Sequence, residues 1–188
     1  MITEYTHINN AISEEELEKR YIALVDSLGL GDPEDLIQEV VDNLRSDILL
    51  VDSLERAGVN LSKTRDIERW AYFDMASNAK QFTKALTKNH KGYRARVGKR
   101  NDDDHHWPVA IRSRGDLRLV SVGQESVAMC MLAHSHNGWH DGFEATIEDS
   151  SKYNLDTIKG APMTAKQLAG SGISYRPGFE RPGKTAKA

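Results

Sequence analysis

Five of the seven histidines in this 188-residue chain stand beside carboxylates. His105 and His106 follow Asp102, Asp103 and Asp104, while His134, His136 and His140 lead into Asp141. Imidazole nitrogen together with carboxylate oxygen suits zinc, nickel or iron. Neither group, however, has the helical His-x-x-x-His spacing with an intervening glutamate that hydrolytic zinc sites use. Polar turns are the preferred reading, and no metal or other cofactor is expected. Nucleophilic chemistry fares no better: no serine lies in a Gly-x-Ser-x-Gly elbow. Cys130 sits among Val127, Met129, Met131 and Leu132, the setting of a small apolar residue on a buried helix face. Neither Gly29 and Gly31 nor Gly170 and Gly172 join a strand to a helix as phosphate loops require. The chain is expected not to be an enzyme.

Recognition chemistry is better represented. Trp70 and Tyr72, with Arg94 and Arg96, are the residue types that protein interfaces favour at their energetic centres. Aromatic rings beside arginines also suit RNA, whose bases stack on sheet aromatics in recognition modules. The segment Trp107 to Arg112 lacks the Lys/Arg-Gly-Phe-x-Phe pattern of such modules, which makes RNA binding the alternative.

The elements that must position these side chains follow from periodicity. Ser13-Glu14-Glu15-Glu16 fits a capping box, and Leu17, Tyr21, Leu24 and Leu28 then recur at helical spacing up to Gly29. Asp32-Pro33 reads as the start of a second helix, with Ile37, Val40, Val41, Leu44, Ile48, Val51 and Leu54 on one stripe ending at Gly58. These two predict a helical hairpin, or two helices lying against the domain that follows. From Thr64 the period changes: Ile67 to Asp74 predicts a strand, Ala76 to Asn89 a helix, and Tyr93 to Gly98 and Trp107 to Arg112 two further strands. A helix is predicted over Gly123 to His134 and a last strand through Phe143, Ala145 and Ile147.

The resulting order, β-α-β-β-α-β, predicts an α+β, ferredoxin-like sandwich with both helices on one sheet face. Its other, open face then carries Trp70, Tyr72, Arg94, Arg96, Arg112, Glu144, Thr146 and Glu148. The turn carrying Asp102 to His106 lies at the same end of the sheet as the one leading into the last strand. The expected organisation is a helical extension over 1–63, the sandwich over 64–149 and a mobile basic tail over 150–188.

Composition bounds the class. The chain has 39% hydrophobic and 28% charged residues and a net charge of −3, ordinary for a globular protein. Residues 1–65 carry 14 acids against 6 bases, 66–149 carry 12 of each, and 150–188 carry 2 against 7. A single cysteine excludes an internal disulfide. No apolar run approaches the roughly 18 residues of a membrane span, and Met1 to Asn10 lacks a secretory pattern. A cytoplasmic location is expected.

Two stretches carry a family resemblance. Thr64-Arg65-Asp66-Ile67-Glu68-Arg69-Trp70-Ala71-Tyr72-Phe73, led by Gly58, Leu61 and Arg65 at Gly-x-x-Leu-x-x-x-Arg spacing, resembles the entry strand of the ribonuclease E regulator B family. His140-Asp141-Gly142-Phe143 resembles that family's closing Tyr-Asp-Gly-Trp signature, with histidine and phenylalanine in place of tyrosine and tryptophan. The resemblance covers about residues 57–149. It implies a non-catalytic protein that binds ribonuclease E and restrains RNA turnover by protein contact. Candidate contacts are Trp70, Tyr72, Arg94 and Arg96, with the turn residues Asp102, Asp103, Asp104, His105 and His106. Asp141, Gly142 and Phe143 are read as a structural motif, with glycine supplying a positive φ at a helix-to-strand turn.

Overall fold

The computed structural model describes residues 12–100 and 105–145, and the backbone of 173–175. The fold is α+β. Helix α1 (Glu14–Leu28) is opened by Ser13, whose Oγ accepts from the Glu16 amide at 3.2 Å, and closed by Gly29 at φ 66°. The Glu16 carboxylate is engaged by Arg20 Nε at 2.8 Å. Asp32 caps only a short 3₁₀ turn, Pro33–Asp35. Leu36 and Ile37 are then extended and pack on the apolar core, so helix α2 (Gln38–Arg56) begins five residues later than Pro33. The two helices are tied by Arg45, which pairs with Glu18 at 2.7 Å and with Glu14, and by Arg20 with Asp52 at 3.0 Å.

Strand β1 (Arg65–Phe73) alternates as its sequence demands, with Ile67, Arg69, Ala71 and Phe73 buried and Asp66, Glu68, Trp70 and Tyr72 on the other face. It is followed by α3 (Ala76–Asn89), β2 (Arg94–Val97), β3 (Trp107–Gly115), α4 (Leu119–Ser135), β4 (Gly138–Ala145) and β5 (Ile173–Tyr175). The sheet runs β2-β3-β1-β4-β5 and every pairing is antiparallel. β1 is central, flanked by β3 (Ala71 opposite Val109) and β4 (Ala71 opposite His140). β5 adds to β4 from within the stretch read as a tail. The expected Ile147 lies outside the described residues.

Helix α4 is the hub of the helical layer. Its Met129 and Ala133 join Phe73, Phe82, Leu86, Val109 and Ile111 beneath α3, while its Val122 joins Leu50, Leu54, Ile67 and Phe143 beneath α2. Cys130 faces Leu17, Leu24, Val40, Leu44 and Ile48 of the hairpin. A helix covered on so many sides cannot show one clean apolar stripe. Gly123 belongs to the same constraint, since a Cβ there would stand 3.2–3.3 Å from Leu44, Leu24 and Leu28. The N-terminal hairpin is therefore packed on the domain, and α2 extends the helical layer over β4.

Strand β4 corrects the reading of Asp141-Gly142. The turn from α4 is made at His136 and Asn137, the latter at φ 53°, and the strand is already running at Gly138. Asp141 and Gly142 lie inside it, as a bulge. Ala71 pairs with His140 and Arg69 with Phe143, so two residues of β4 stand against Trp70 alone. Gly142 has φ 78°. The extra residue lets both His140 and Phe143 point into the helical layer. Gly142→Ala puts a Cβ on left-handed backbone, at about 1–2 kcal/mol. Urea unfolding is expected to lose that amount at unchanged m value; an unaltered midpoint would show that the bulge tolerates a side chain.

Candidate functional site

Two groups of side chains lie on either side of the sheet. The first is buried beneath it. Arg69 occupies an inward position of β1 and is 0% exposed. Its Nη2 lies 2.5 Å from Glu125 Oε2, its Nη1 donates to Ser113 Oγ at 3.1 Å, and its guanidinium stands 5.6 Å from the Phe143 ring centre. Asp47 of α2 is buried, beside the Ser126 hydroxyl and within the field of Arg69. Burial pushes the Asp47 carboxyl up to about 7, against the pull of both neighbours. Burial also pushes the Tyr93 phenol up to about 12, aided by the Glu125 charge.

His140 extends this interior group. Asn43 Nδ2 donates to the Glu39 carbonyl at 2.9 Å, so its Oδ1 faces His140 Nδ1, 3.0 Å away, as an acceptor. His140 Nδ1 must then carry a proton. Burial, followed by the Arg69 charge, lowers the imidazole to about 3, which keeps it neutral. The His140 amide donates to Glu39 Oε1 at 2.7 Å, and burial raises the Glu39 carboxyl above its usual range.

Cys130 Sγ lies 3.8 Å from that same Nδ1, a nitrogen already committed as a donor and unable to take the thiol proton. Burial and then the charges of Glu39 and Asp47 raise the thiol far above its ordinary range. A buried, protonated sulfur beside a nitrogen that cannot act as base is poorly placed to become a thiolate, and the neighbouring Glu39 carboxylate raises the thiol further. This group joins α2, α4 and the sheet.

The second group is on the open face, which divides in two. Along one half Tyr72 stacks on Trp139, ring centres 5.8 Å apart, and Trp139 meets the His106 ring edge-on at 4.6 Å. His106 Nδ1 also lies 2.9 Å from Asp74 Oδ1. Trp70 stands beside Ala110, and Tyr72 lies between Pro108 and Trp139 in the pairing register. Trp70 Nε1 has no hydrogen-bond partner among the described residues. Arg96, exposed on β2, faces Ala110 from the far side. Along the other half charges are paired across the strands, Arg112 with Glu68 and Arg114 with Asp66, each at 3.2 Å. These are exposed pairs of small energetic value. Arg94 is opposite Arg112, and Glu144 opposite Glu68.

The expected site residues thus separate. Trp70, Tyr72, Arg94 and Arg96 share the open face, His106 joins its aromatic half, and His105 is exposed at φ 62°, its carbonyl accepting from Arg100 Nε at 2.9 Å. Asp102, Asp103 and Asp104, with Thr146 and Glu148, lie outside the described residues. The two histidine groups do not merge: His140 is buried in the helical layer, whereas His106 is on the open face. Among the described residues no three metal-ligating side chains come together.

Two features escape alternation alone. Trp139 reaches the open face only because the bulge at Asp141-Gly142 reverses the parity counted back from Phe143. Arg69, like Arg65, stands in the inward register of Ile67, Ala71 and Phe73, where its charge argues against the burial that alternation implies. Asp47 likewise falls between Leu44 and Ile48 on the apolar stripe of α2.

An all-antiparallel sheet thus carries a polar interior tie on its helical side and an aromatic, arginine-bordered open face on the other. Residues 45–145 match the family described as regulator of ribonuclease activity B, and the chain belongs to that family. The match begins inside α2, in keeping with the packing of that helix on the sheet. No curated protein matches the chain.

The interior group makes opposed contributions to stability against pH. Native Asp47 keeps its proton up to about 7, whereas the unfolded chain releases it near 3.8, so its contribution falls as pH rises between those values. Native His140 stays neutral down to about 3, whereas the unfolded imidazole is charged below 6.5, so its contribution rises with pH across that window. Each slope is about 1.4 kcal/mol per pH unit, and from about pH 4 to 6.5 they cancel. In urea unfolding across this range, Asp47→Asn is expected to uncover the rise and His140→Gln the fall. Profiles parallel to the wild type would contradict this.

Proposed function

We propose that the chain is a non-catalytic regulator that binds ribonuclease E by protein contact and restrains RNA turnover. Membership of the family supports regulation of a ribonuclease activity. The single observation that carries the contact site is the aromatic strip of Trp70, Tyr72 and Trp139 beside His106, with Arg96 at its border. Such rings supply large contact area with little loss of conformational freedom, and arginine is the charged type most often found with them at interface centres. The proposed contact set is Trp70, Tyr72, Arg94, Arg96, Asp102, Asp103, Asp104, His105 and His106, extended by Trp139.

The β-α-β-β-α-β succession and the β2-β3-β1-β4 order support a ferredoxin-like reading of the sheet domain. We assign that domain to 64–149, with a helical extension before it and a basic tail after it, in a cytoplasmic protein. Base stacking on this face is the less supported reading, because Arg112 and Arg114 are already matched to carboxylates.

A pull-down of ribonuclease E, after digestion of RNA, tests the proposal. The wild type is expected to form a complex. Arg94→Glu with Arg96→Glu, and separately Trp139→Ala, are each expected to weaken it about 30-fold, the size of a 2 kcal/mol interface centre. Absence of a wild-type complex would sink the ribonuclease E reading. Unchanged affinity in both folded variants would move the contact elsewhere.

A further inference from the structure

The neutral total of residues 66–149 hides a spatial sorting. Between Asp74 and Asp102 the chain carries eight bases and no acid: Lys80, Lys84, Lys88, Lys91, Arg94, Arg96, Lys99 and Arg100. All eight are exposed. Lys80, Lys84 and Lys88 recur at i, i+4 and i+8, on the side of α3 opposite buried Ala79, Phe82 and Leu86. Successive lysines therefore rise about 6 Å along the helix. Lys91 lies in the following turn, and Arg94 and Arg96 project from β2, the outermost strand on this side of the sheet among the described residues.

No ion pair forms between these lysines, Arg94 or Arg96 and another described residue. By contrast Arg20, Arg45, Arg56, Arg69, Arg112, Arg114 and Arg118 each have a carboxylate within reach. Of the two acidic helices, α2 lies at the other side of the sheet, over β4, and α1 packs on α2 and α4. Among the described residues the unmatched cations, Lys19 of α1 apart, are thus gathered on α3, the turn after it and the β2 edge.

Charge complementarity calls for a polyanion, and the surface chemistry narrows the choice. Protein interfaces centre on buried apolar or aromatic anchors. Among the described residues the exposed large hydrophobics are Ile22, Met75, Val120 and Met131, none of them between 76 and 100. A cationic track without anchors is the surface that binds phosphates without reading bases. We propose that α3 and the β2 edge bind the phosphodiester backbone of single-stranded RNA, independently of sequence. The choice of RNA rests on the ribonuclease-regulator reading; the surface shares Arg94 and Arg96 with the proposed protein contact set, while its lysines on α3 lie outside that set.

The test uses the full chain with fluorescently labelled oligouridylate and no nuclease, so its outcome is separate from that of the pull-down. Affinity is expected to fall linearly on a log–log plot against salt. Lys80→Gln with Lys84→Gln and Lys88→Gln should weaken binding at low salt at least tenfold and reduce the slope by about 2, near 0.7 per lost phosphate contact. Each single substitution should reduce it by about 0.7, which preserves the reading if the triple variant folds poorly. Arg112→Gln with Arg114→Gln should leave binding unchanged. Three results overturn the proposal: no binding by the wild type; unchanged affinity and slope in the lysine variants, which would pass the RNA to the basic segment 150–188; or tighter binding of polyglutamate than of oligouridylate, which would make this a surface for acidic protein.

Discussion

A guanidinium with no access to water is the constraint around which the two layers are arranged. Arg69 can be buried only if its charge is answered, and the answers come from Glu125 on α4, from Ser113 on β3 and from the ring of Phe143 on β4. Asp47 of α2 sits in the same field. Four elements distant in sequence must converge before this charge is tolerable, so incomplete packing leaves it exposed to a cost of several kcal/mol. Apolar contacts under α2 and α3 supply the larger share of the burial. The polar group limits which arrangement of those contacts is acceptable.

The same arrangement holds an interior composed of histidine, cysteine, asparagine and glutamate in one set of hydrogen bonds. Asn43 is oriented by the Glu39 carbonyl, His140 by Asn43, and the strand backbone by the Glu39 carboxylate. Each hydrogen bond removes the freedom that acid–base work on Cys130 would require. On the opposite side of the sheet the bulge brings Trp139 beside Tyr72. Interior and surface are coupled through β4: the extra residue that turns His140 and Phe143 inward also turns the tryptophan outward.

Much of this was legible in the sequence. Strict alternation in β1 and β3, and the 3.6-residue stripes of α1, α2 and α3, place most elements within a few residues. Both stretches of family resemblance fall in the matched region. Illegible features were those where a local rule yielded to packing. Asp32-Pro33 is a sound helix start that the burial of Leu36 and Ile37 cut short. Asp141-Gly142 looks like a turn because bulges use turn residues. The hub role of α4 erases the stripe that would have revealed its length, and Arg69 breaks the expectation that charge lies outside.

The β2 edge has a consequence for how copies of this chain meet. An outermost strand offers unpaired backbone groups to any other strand, and identical edges are the commonest hazard. Here the edge is four residues long, and two of them are the outward arginines Arg94 and Arg96. A second copy adding antiparallel to β2 would set arginines against arginines across the new seam, where like charges destabilise pairing. Such charges disfavour a copy pairing in that register, and so act against growth of the sheet into a ribbon.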